Sequence, residues 1–194
     1  MTIMPFDELN AFKEQLPIHF DADGHIRSKQ DEEDIIDELF DLFLLAYANG
    51  VEDVNNALNS SVKPPLSNVM ETVDKEIAGK TWRERVHEYA ENGGTIGDII
   101  RIAETESHRD SNEAAYKTAV EAGATQKVWH CLMLDTSRDT HKYLNGVSAP
   151  IDGYFYSFRG GRTQFPGQWG IAEEDCKNNH QLVLLHLVTI HGLL

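Results

Sequence analysis

The sequence predicts an α+β protein in which a helical N-terminal region precedes a small α+β module with short antiparallel strands. Two observations predict this class. Apolar residues recur at three- and four-residue spacing before Gly123, which is the period of an amphipathic helix. After Gly123 the chain is rich in strand formers, glycine and proline, a composition typical of short strands joined by tight turns. Helical and strand patterns do not alternate, so a doubly wound parallel sheet is not expected.

Helices are predicted throughout the N-terminal region. The first spans Phe6–Leu16, because Pro17 cannot continue it. The second, Asp31–Tyr47, opens with acidic residues that favour the positive end of the helix dipole. Asn49-Gly50 is interpreted as its C-cap, and Val51–Leu58 as a separate short helix. The apolar stripe of the second helix is wide, which makes this helix a candidate surface for a partner protein or for self-association.

A linker and three more helices are expected before the strands. The linker is Asn59–Pro65, and the helices are Val69–Ala78, Trp82–Ala90 and Ile96–Ala122. Thr81 and Glu84 have the spacing of a capping box at the start of the middle helix. The chain is accordingly divided into an acidic helical region, residues 1–60, and a module of residues 61–194. In that module the helices fall within 69–122 and the α+β part covers 123–194.

The C-terminal part is predicted to contain short strands around one short helix. The expected strands are Lys127–Leu134, Tyr154–Phe158 and Gln181–Ile190, and the expected helix is Asp135–Leu144. Glycine and proline separate these segments, so tight turns are expected between them.

Composition excludes several classes of protein. The 194 residues carry a formal net charge of −15, and residues 1–60 alone hold 14 Asp+Glu against 3 Lys+Arg. An acidic surface repels phosphates, so direct binding of DNA is doubtful. A partner protein with a basic surface would instead be attracted to this chain. No stretch approaches the roughly 20 apolar residues of a membrane span, and no secretory signal is evident. Cys131 and Cys176 are too few for a disulfide scaffold, so free thiols in a reducing compartment are expected.

Two stretches are dense in groups that can carry chemistry. On a helix, four side chains of the first would share a face, namely Arg101, Thr105, His108 and Arg109. Such a face either supports a site or a partner, or is a solvated, salt-bridged surface. In the second stretch, Asp135 would cap a helix on which Arg138 and His141 face the same way.

The second stretch offers acid–base or metal chemistry. Asp and His are suitable as proton-transfer groups and as zinc ligands. Further candidates are His130, Cys131, Asp152, Cys176 and His180. No pair has strong ligand spacing such as CxxC or HExxH, and His130, Asp135 and His141 remain weak metal candidates. The alternative is structural, with Asp135 capping a helix and His141 bonded inside a compact core.

The succession of motifs resembles the phage head morphogenesis family of minor head proteins, which are similar to the SPP1 gene 7 product and to phage Mu protein F. The resemblance covers about Thr95–Leu185. It rests on Arg101-Ile102-Ala103-Glu104-Thr105-Glu106 with Arg109 and Asn112, on Trp129, on Asp135 with His141 and Leu144-Asn145-Gly146, on Ala149-Pro150-Ile151-Asp152, on Tyr154–Phe158 and on Pro166-Gly167. Two positions depart from the family pattern: Glu104 replaces an arginine, and Asn179-His180-Gln181-Leu182 replaces a segment with two cysteines.

The resemblance implies a structural protein of the virion without a cofactor or a catalytic role. Family members are low-copy head proteins that associate with the portal or capsid and act in head assembly or in DNA packaging and delivery. They are found in the phage head, and in the bacterial cytoplasm during assembly. The residues implied to hold the module together are Arg101, Glu104, Thr105, Glu106, Arg109, Asn112, Trp129, Asp135, Arg138, His141, Gly146 and Asp152.

Two other functions stay open at this point. One is a metal-dependent nuclease or hydrolase that uses Asp135 and His141, with His130 or Asp152 as a further ligand. The other is a stand-alone binding protein that shares the module and blocks a host factor. Metal binding that depends on His141 would favour the enzyme, and absence from purified virions would favour the stand-alone protein.

Overall fold

The computed structural model describes residues 6–131, 133, 135 and 137–169, and the backbone of residues 183–188. The helices are α1 (Phe6–Gln15), α2 (Lys29–Leu58), α3 (Leu66–Val73), α4 (Trp82–Asn92), α5 (Ile96–Glu121) and α6 (Asp139–Leu144). The strands are β1 (Gln126–Cys131), β2 (Ser148–Pro150), β3 (Phe155–Tyr156), β4 (Arg162–Thr163) and β5 (Val183–Val188). Five helices precede the strands, which pair antiparallel, so the predicted α+β class is confirmed.

The strands form two small sheets. β1 is the central strand of a three-stranded sheet in the order β2-β1-β5, and β3 pairs with β4 in a separate hairpin. Side chains alternate along β1, so that Lys127, Trp129 and Cys131 are buried while His130 is exposed. This alternation places the chemistry-bearing residues of β1 on opposite faces of the sheet.

Helix α2 is a single helix of 30 residues, so the predicted break at Asn49-Gly50 is wrong. Gly50 faces α5, where a Cβ atom would lie 2.2 Å from the carbonyl oxygen of Ser111. The glycine is therefore required by the close approach of two helices rather than by a C-cap. The helix ends at Asn59, whose left-handed backbone (φ 51°) closes the last turn.

Helix α4 begins where the sequence predicts. The Thr81 hydroxyl accepts from the Glu84 backbone N–H, and the Glu84 carboxylate accepts from the Thr81 backbone N–H. This reciprocal pair confirms the predicted capping box. Helix α3 begins earlier than expected, directly after Pro65, and ends at Val73 instead of Ala78.

Helix α6 is shorter than the predicted Asp135–Leu144. It begins at Asp139, and the residue at its N-cap is Arg138, whose backbone is extended. The predictions that Asp135 caps this helix and that Arg138 lies on it are therefore wrong. Asp135 lies in an exposed turn outside the helix.

The hydrophobic core of the helical region contains side chains from all five helices, α1 to α5. Its fully buried side chains include Leu16, Ile35, Leu39, Phe43, Val73, Trp82, Val86 and Ile99. Phe43 of α2 contacts Trp82 of α4 edge to face, with ring centroids 5.1 Å apart. Most of the apolar stripe of α2 is used inside this core, while its acidic face and the exposed Leu45 remain outside it. Within the described part of the chain, no helix has both the length and the apolar character needed to cross a membrane.

Candidate functional site

The centre of α5 carries a buried ion network. Arg109 is 2% exposed, and its Nη2 donates to Asp110 Oδ1 at 2.7 Å and to the Thr72 carbonyl at 3.0 Å. Its Nε lies 2.9 Å from Glu106 Oε2, and Arg85 of α4 pairs with the other oxygen of Glu106. The Arg109 guanidinium therefore binds α3 directly, through Thr72, and α4 indirectly, through Glu106.

A second part of the network lies one turn further along α5. Glu113 is buried and accepts from Lys75 Nζ at 2.9 Å, and it pairs with Lys117 Nζ at 3.0 Å. Lys117 also donates to the Thr72 hydroxyl. Burial raises the pKa of Asp110 well above its usual range, although the neighbouring Arg109 lowers it. These cations balance the buried carboxylates of the network, and Lys75 and Lys117 keep about a third of their side chains exposed.

The remaining motif residues of α5 have simpler roles. Glu104 is buried and pairs with Lys13 of α1, and Asn112 donates through Nδ2 to the His108 carbonyl at 2.7 Å. Arg101 and Thr105 are half-buried, and Arg101 pairs with Asp98 within the same helix. The face predicted for Arg101, Thr105, His108 and Arg109 thus runs from half-buried to fully buried, which makes it an interior contact surface.

The turn Pro166-Gly167 packs against the ion network. Gly167 has a positive φ of 86°, and a Cβ atom there would lie 3.2 Å from the Cα atom of Arg109. Only a residue without a side chain fits this approach without displacing its neighbour. Two motifs that are far apart in the sequence, the α5 helix and the Pro-Gly turn, therefore meet at Arg109.

His141 lies among aromatic rings in the core of the α+β module. Its ring stacks on Trp169 with centroids 6.3 Å apart and an interplanar angle of 16°, and it meets the edge of Trp129 at 5.6 Å. Both His141 and Trp129 are buried. Phe155 completes the cluster with its ring 5.1 Å from that of Trp129. The imidazole thus contributes packing to the core.

The other candidates of this stretch lie around that core. Asp135, Asp152 and His130 are exposed, and Arg138 is half-buried. Gly146 adopts a left-handed backbone, and its N–H donates to the Trp129 carbonyl at 2.8 Å, which ties the turn after α6 to β1. His130 and His141 do not share a face, because β1 buries Trp129 towards His141 and exposes His130.

Lys127 is a buried residue that the sequence analysis did not single out. Its Nζ donates to the carbonyls of Ile151 and Gly153, both at 2.7 Å, and lies 4.8 Å from the centroid of the Tyr116 ring. Burial lowers the pKa of Lys127 to about 8, while the Asp152 carboxylate acts in the opposite direction. The alternation of β1 places Lys127 on the same face as Trp129, which is the sequence feature that indicates its burial. Lysine is rarely buried completely, so this feature is easily overlooked.

Neither ion network nor aromatic cluster has the geometry of a metal centre. Across the residues with described positions, no group of three or more His, Cys, Asp or Glu side chains is placed to hold a metal. Cys131 is a buried free thiol, and the candidates Cys176 and His180 lie outside the described residues.

No protein-family model, no curated protein and no solved structure matches this chain. The arrangement is suited to holding helices and sheet together.

Proposed function

We propose that the chain is a minor head protein of a bacteriophage, a structural component that binds the portal or capsid protein. It acts in head assembly or in DNA packaging and delivery, first in the host cytoplasm and then in the phage head. The observation that carries the proposal is the succession of motifs over about Thr95–Leu185, in the order and spacing of the phage head morphogenesis family.

The positions of the motif residues support a structural role. Glu106, Arg109, Trp129 and His141 are buried, and their partners come from other elements of the same chain. A catalytic group has to reach a substrate, and these side chains reach only protein. Conversely, a protein under assembly and packaging loads benefits from a module whose separate segments are joined by buried ion pairs.

The exposed face of α2 supports a basic protein partner. Glu33, Asp37 and Asp41 follow one another at four-residue spacing and are all exposed. Within the described part of the chain, no ion pair is formed by these three carboxylates. Like charges at this spacing repel each other, and a basic surface would relieve that repulsion.

The proposal is tested by co-expressing the chain with the portal protein of the same phage and separating the complex by size exclusion at about 0.15 M salt. We expect a stable complex. The double variant Glu33→Lys/Asp37→Lys should weaken it at least tenfold. The matched control Glu71→Lys/Glu121→Lys makes the same change in net charge on exposed positions of α3 and α5 and should leave binding intact.

Two results would contradict the proposal. One is the absence of a complex at micromolar concentrations with the assembled portal and with the capsid protein. The other is absence of the protein from purified virions. If zinc- or manganese-dependent hydrolysis were then found and lost in His141→Ala with the fold intact, the enzyme hypothesis would replace it.

A further inference from the structure

The α+β module exposes a group of aromatic side chains on one hairpin. Tyr154 directly precedes β3, Tyr156 lies in it and Phe158 lies in the turn after it. Tyr156 and Phe158 are each 62% exposed. Phe158 contacts Tyr143 of α6, with ring centroids 6.2 Å apart. We call these four residues the aromatic patch. Apolar surface of this kind usually marks an interaction site.

Arginines accompany the aromatic patch. The Arg162 guanidinium lies over the Tyr154 ring at 4.6 Å from the centroid, and Arg159 is exposed beside Phe158. Residues 127–169 contain five Lys+Arg and three Asp+Glu, a local net charge of +2 in a chain of net charge −15. Tyrosine and arginine are the residue types that dominate the binding energy of protein interfaces. The strongly acidic remainder of the molecule disfavours a nucleic acid as the occupant.

At the helical end, α1 and α2 enclose an open groove of about 240 Å³. Its walls are apolar, with Phe12 from α1 and Leu42 and Leu45 from α2. Three carboxylates, those of Glu8, Glu38 and Asp41, also line it. We call this the α1–α2 groove. It has the size to accept an aromatic ring and the charge to accept an arginine.

The accessible carboxylates give the groove its negative charge. Asp41 is exposed and, among the described residues, forms no ion pair, and about a third of the Glu38 side chain is exposed. A guanidinium supplies several donors in one plane and is well matched to such carboxylates. Leu45, on the outer wall, is 45% exposed, which is apolar surface that a docked ring would cover. The groove therefore lacks what the aromatic patch provides.

We propose that the aromatic patch of one copy docks into the α1–α2 groove of a second copy, head to tail. Phe158 enters between the two helices, and Arg159 faces the carboxylates of Glu8, Glu38 and Asp41. The two surfaces differ, so each copy keeps one of them available after docking. Such a heterologous contact builds a ring or a short filament rather than a closed dimer. This contact is separate from the proposed portal binding, although Asp41 belongs to both surfaces.

The test uses the purified full chain in sedimentation experiments and two variants. The hairpin variant is Phe158→Ser/Arg159→Glu, and the groove variant is Asp41→Lys/Leu45→Lys. All four positions are exposed, so both variants should keep the circular dichroism spectrum and unfolding midpoint of the parent. We expect the parent chain to self-associate with an affinity that falls as salt increases, and each variant alone to be at least tenfold weaker.

The decisive measurement is the mixture of the two variants. The hairpin variant has an intact groove and the groove variant an intact aromatic patch, so the mixture should form a one-to-one dimer and nothing larger. The control Lys63→Glu/Leu66→Ser removes a comparable exposed pair at the start of α3 and should associate like the parent.

Several results would overturn the proposal. A parent chain that stays monomeric at several hundred micromolar excludes the contact. Association that survives in either single-surface variant, or a mixture that gives no dimer, excludes the head-to-tail geometry. Binding of a fluorescent single-stranded oligonucleotide that the hairpin variant abolishes, with the parent chain monomeric, would assign the aromatic patch to nucleic acid instead.

Discussion

Arg109 has its charge neutralised entirely inside the protein. Its partners are the carboxylates of Glu106 and Asp110 and the carbonyl of Thr72, and all of them are buried. Removing Arg109 leaves the buried Asp110 without its cation and leaves Glu106 with Arg85 alone, which is costly away from water. Arg101, eight residues earlier on the same helix, is half-buried and pairs with Asp98 near the surface.

Replacing Arg109 by methionine should therefore lower the free energy of unfolding by about 3–5 kcal/mol. The matched substitution Arg101→Met should cost about 1 kcal/mol or less, because ion pairs within reach of solvent contribute little. Urea denaturation of both variants at pH 7 checks this. Equal losses for the two variants would show that the network around Arg109 does not stabilise the fold.

His108 makes the stability of the protein depend on pH. Burial lowers its pKa to about 4, and the charge of Lys13 acts in the same direction. In the unfolded chain the pKa is about 6.5, so between pH 6.5 and 4 only the unfolded state gains the proton. Stability must therefore fall as the pH falls through this window, by up to about 3 kcal/mol.

We expect His108→Gln to lose this part of the pH dependence, whereas His130→Gln, at an exposed position, should keep it. Urea denaturation at pH 7.0, 5.5 and 4.5 measures the slope for each protein. A parallel decline of all three proteins would assign the pH dependence to other groups.

At the level of secondary structure, the long pair α2 and α5 organises the helical region. The close approach at Gly50 allows α2 to pass the backbone of α5 at Ser111. Gly97, in the first turn of α5, has room around it. A Cβ atom added there would have the Thr95 hydroxyl as its nearest neighbour, at 3.6 Å.

Gly50→Ala should destabilise the protein by about 1–3 kcal/mol, because the added methyl group would force the two helices apart. Gly97→Ala should be neutral or stabilising by up to about 1 kcal/mol, because alanine restricts the unfolded chain and fits the helix. Thermal and urea denaturation compare the two. If Gly50→Ala were as stable as the parent, α2 and α5 would not be in close contact at Gly50 and Ser111.

For the molecule as a whole, charge is distributed unevenly. Helix α2 carries nine acidic residues and one lysine, while residues 127–169 carry a net charge of +2. Repulsion along α2 opposes folding, and salt screens it. The same asymmetry provides the two complementary surfaces on which the proposed self-association depends.

Asp37→Lys should stabilise the monomer by about 0.5 kcal/mol at low salt, because it replaces repulsion from Glu33 and Asp41 with attraction. At about 1 M salt the gain should largely disappear. Denaturation of the variant and the parent in both salt concentrations tests this. A gain that does not change with salt would point to helix propensity as its cause.

The sequence by itself determined the fold class and the succession of helices before strands, but it divided α2 in two and did not indicate β2 or β4. The class, the helices α1, α4 and α5 and the capping box at Thr81 depend on periodicity and on contacts between residues three or four apart, and such local interactions can be recognised in the sequence. The positions of α1, α4 and α5 accordingly agree with the predicted ranges within about two residues.

Only the tertiary structure decided what depends on residues far apart in the chain. In the sequence Gly50 has the features of a C-cap, but it lies inside helix α2. The glycine is required there because the backbone of Ser111, on another helix, leaves no space for a Cβ atom. Lys127 and Arg109 have the polarity of surface residues, and only the carbonyls and carboxylates brought to them by other elements allow their burial. His141 likewise became a core residue because two indoles surround it. The physical reason is common to all of them: burial of a polar group is decided by partners that the local sequence does not contain.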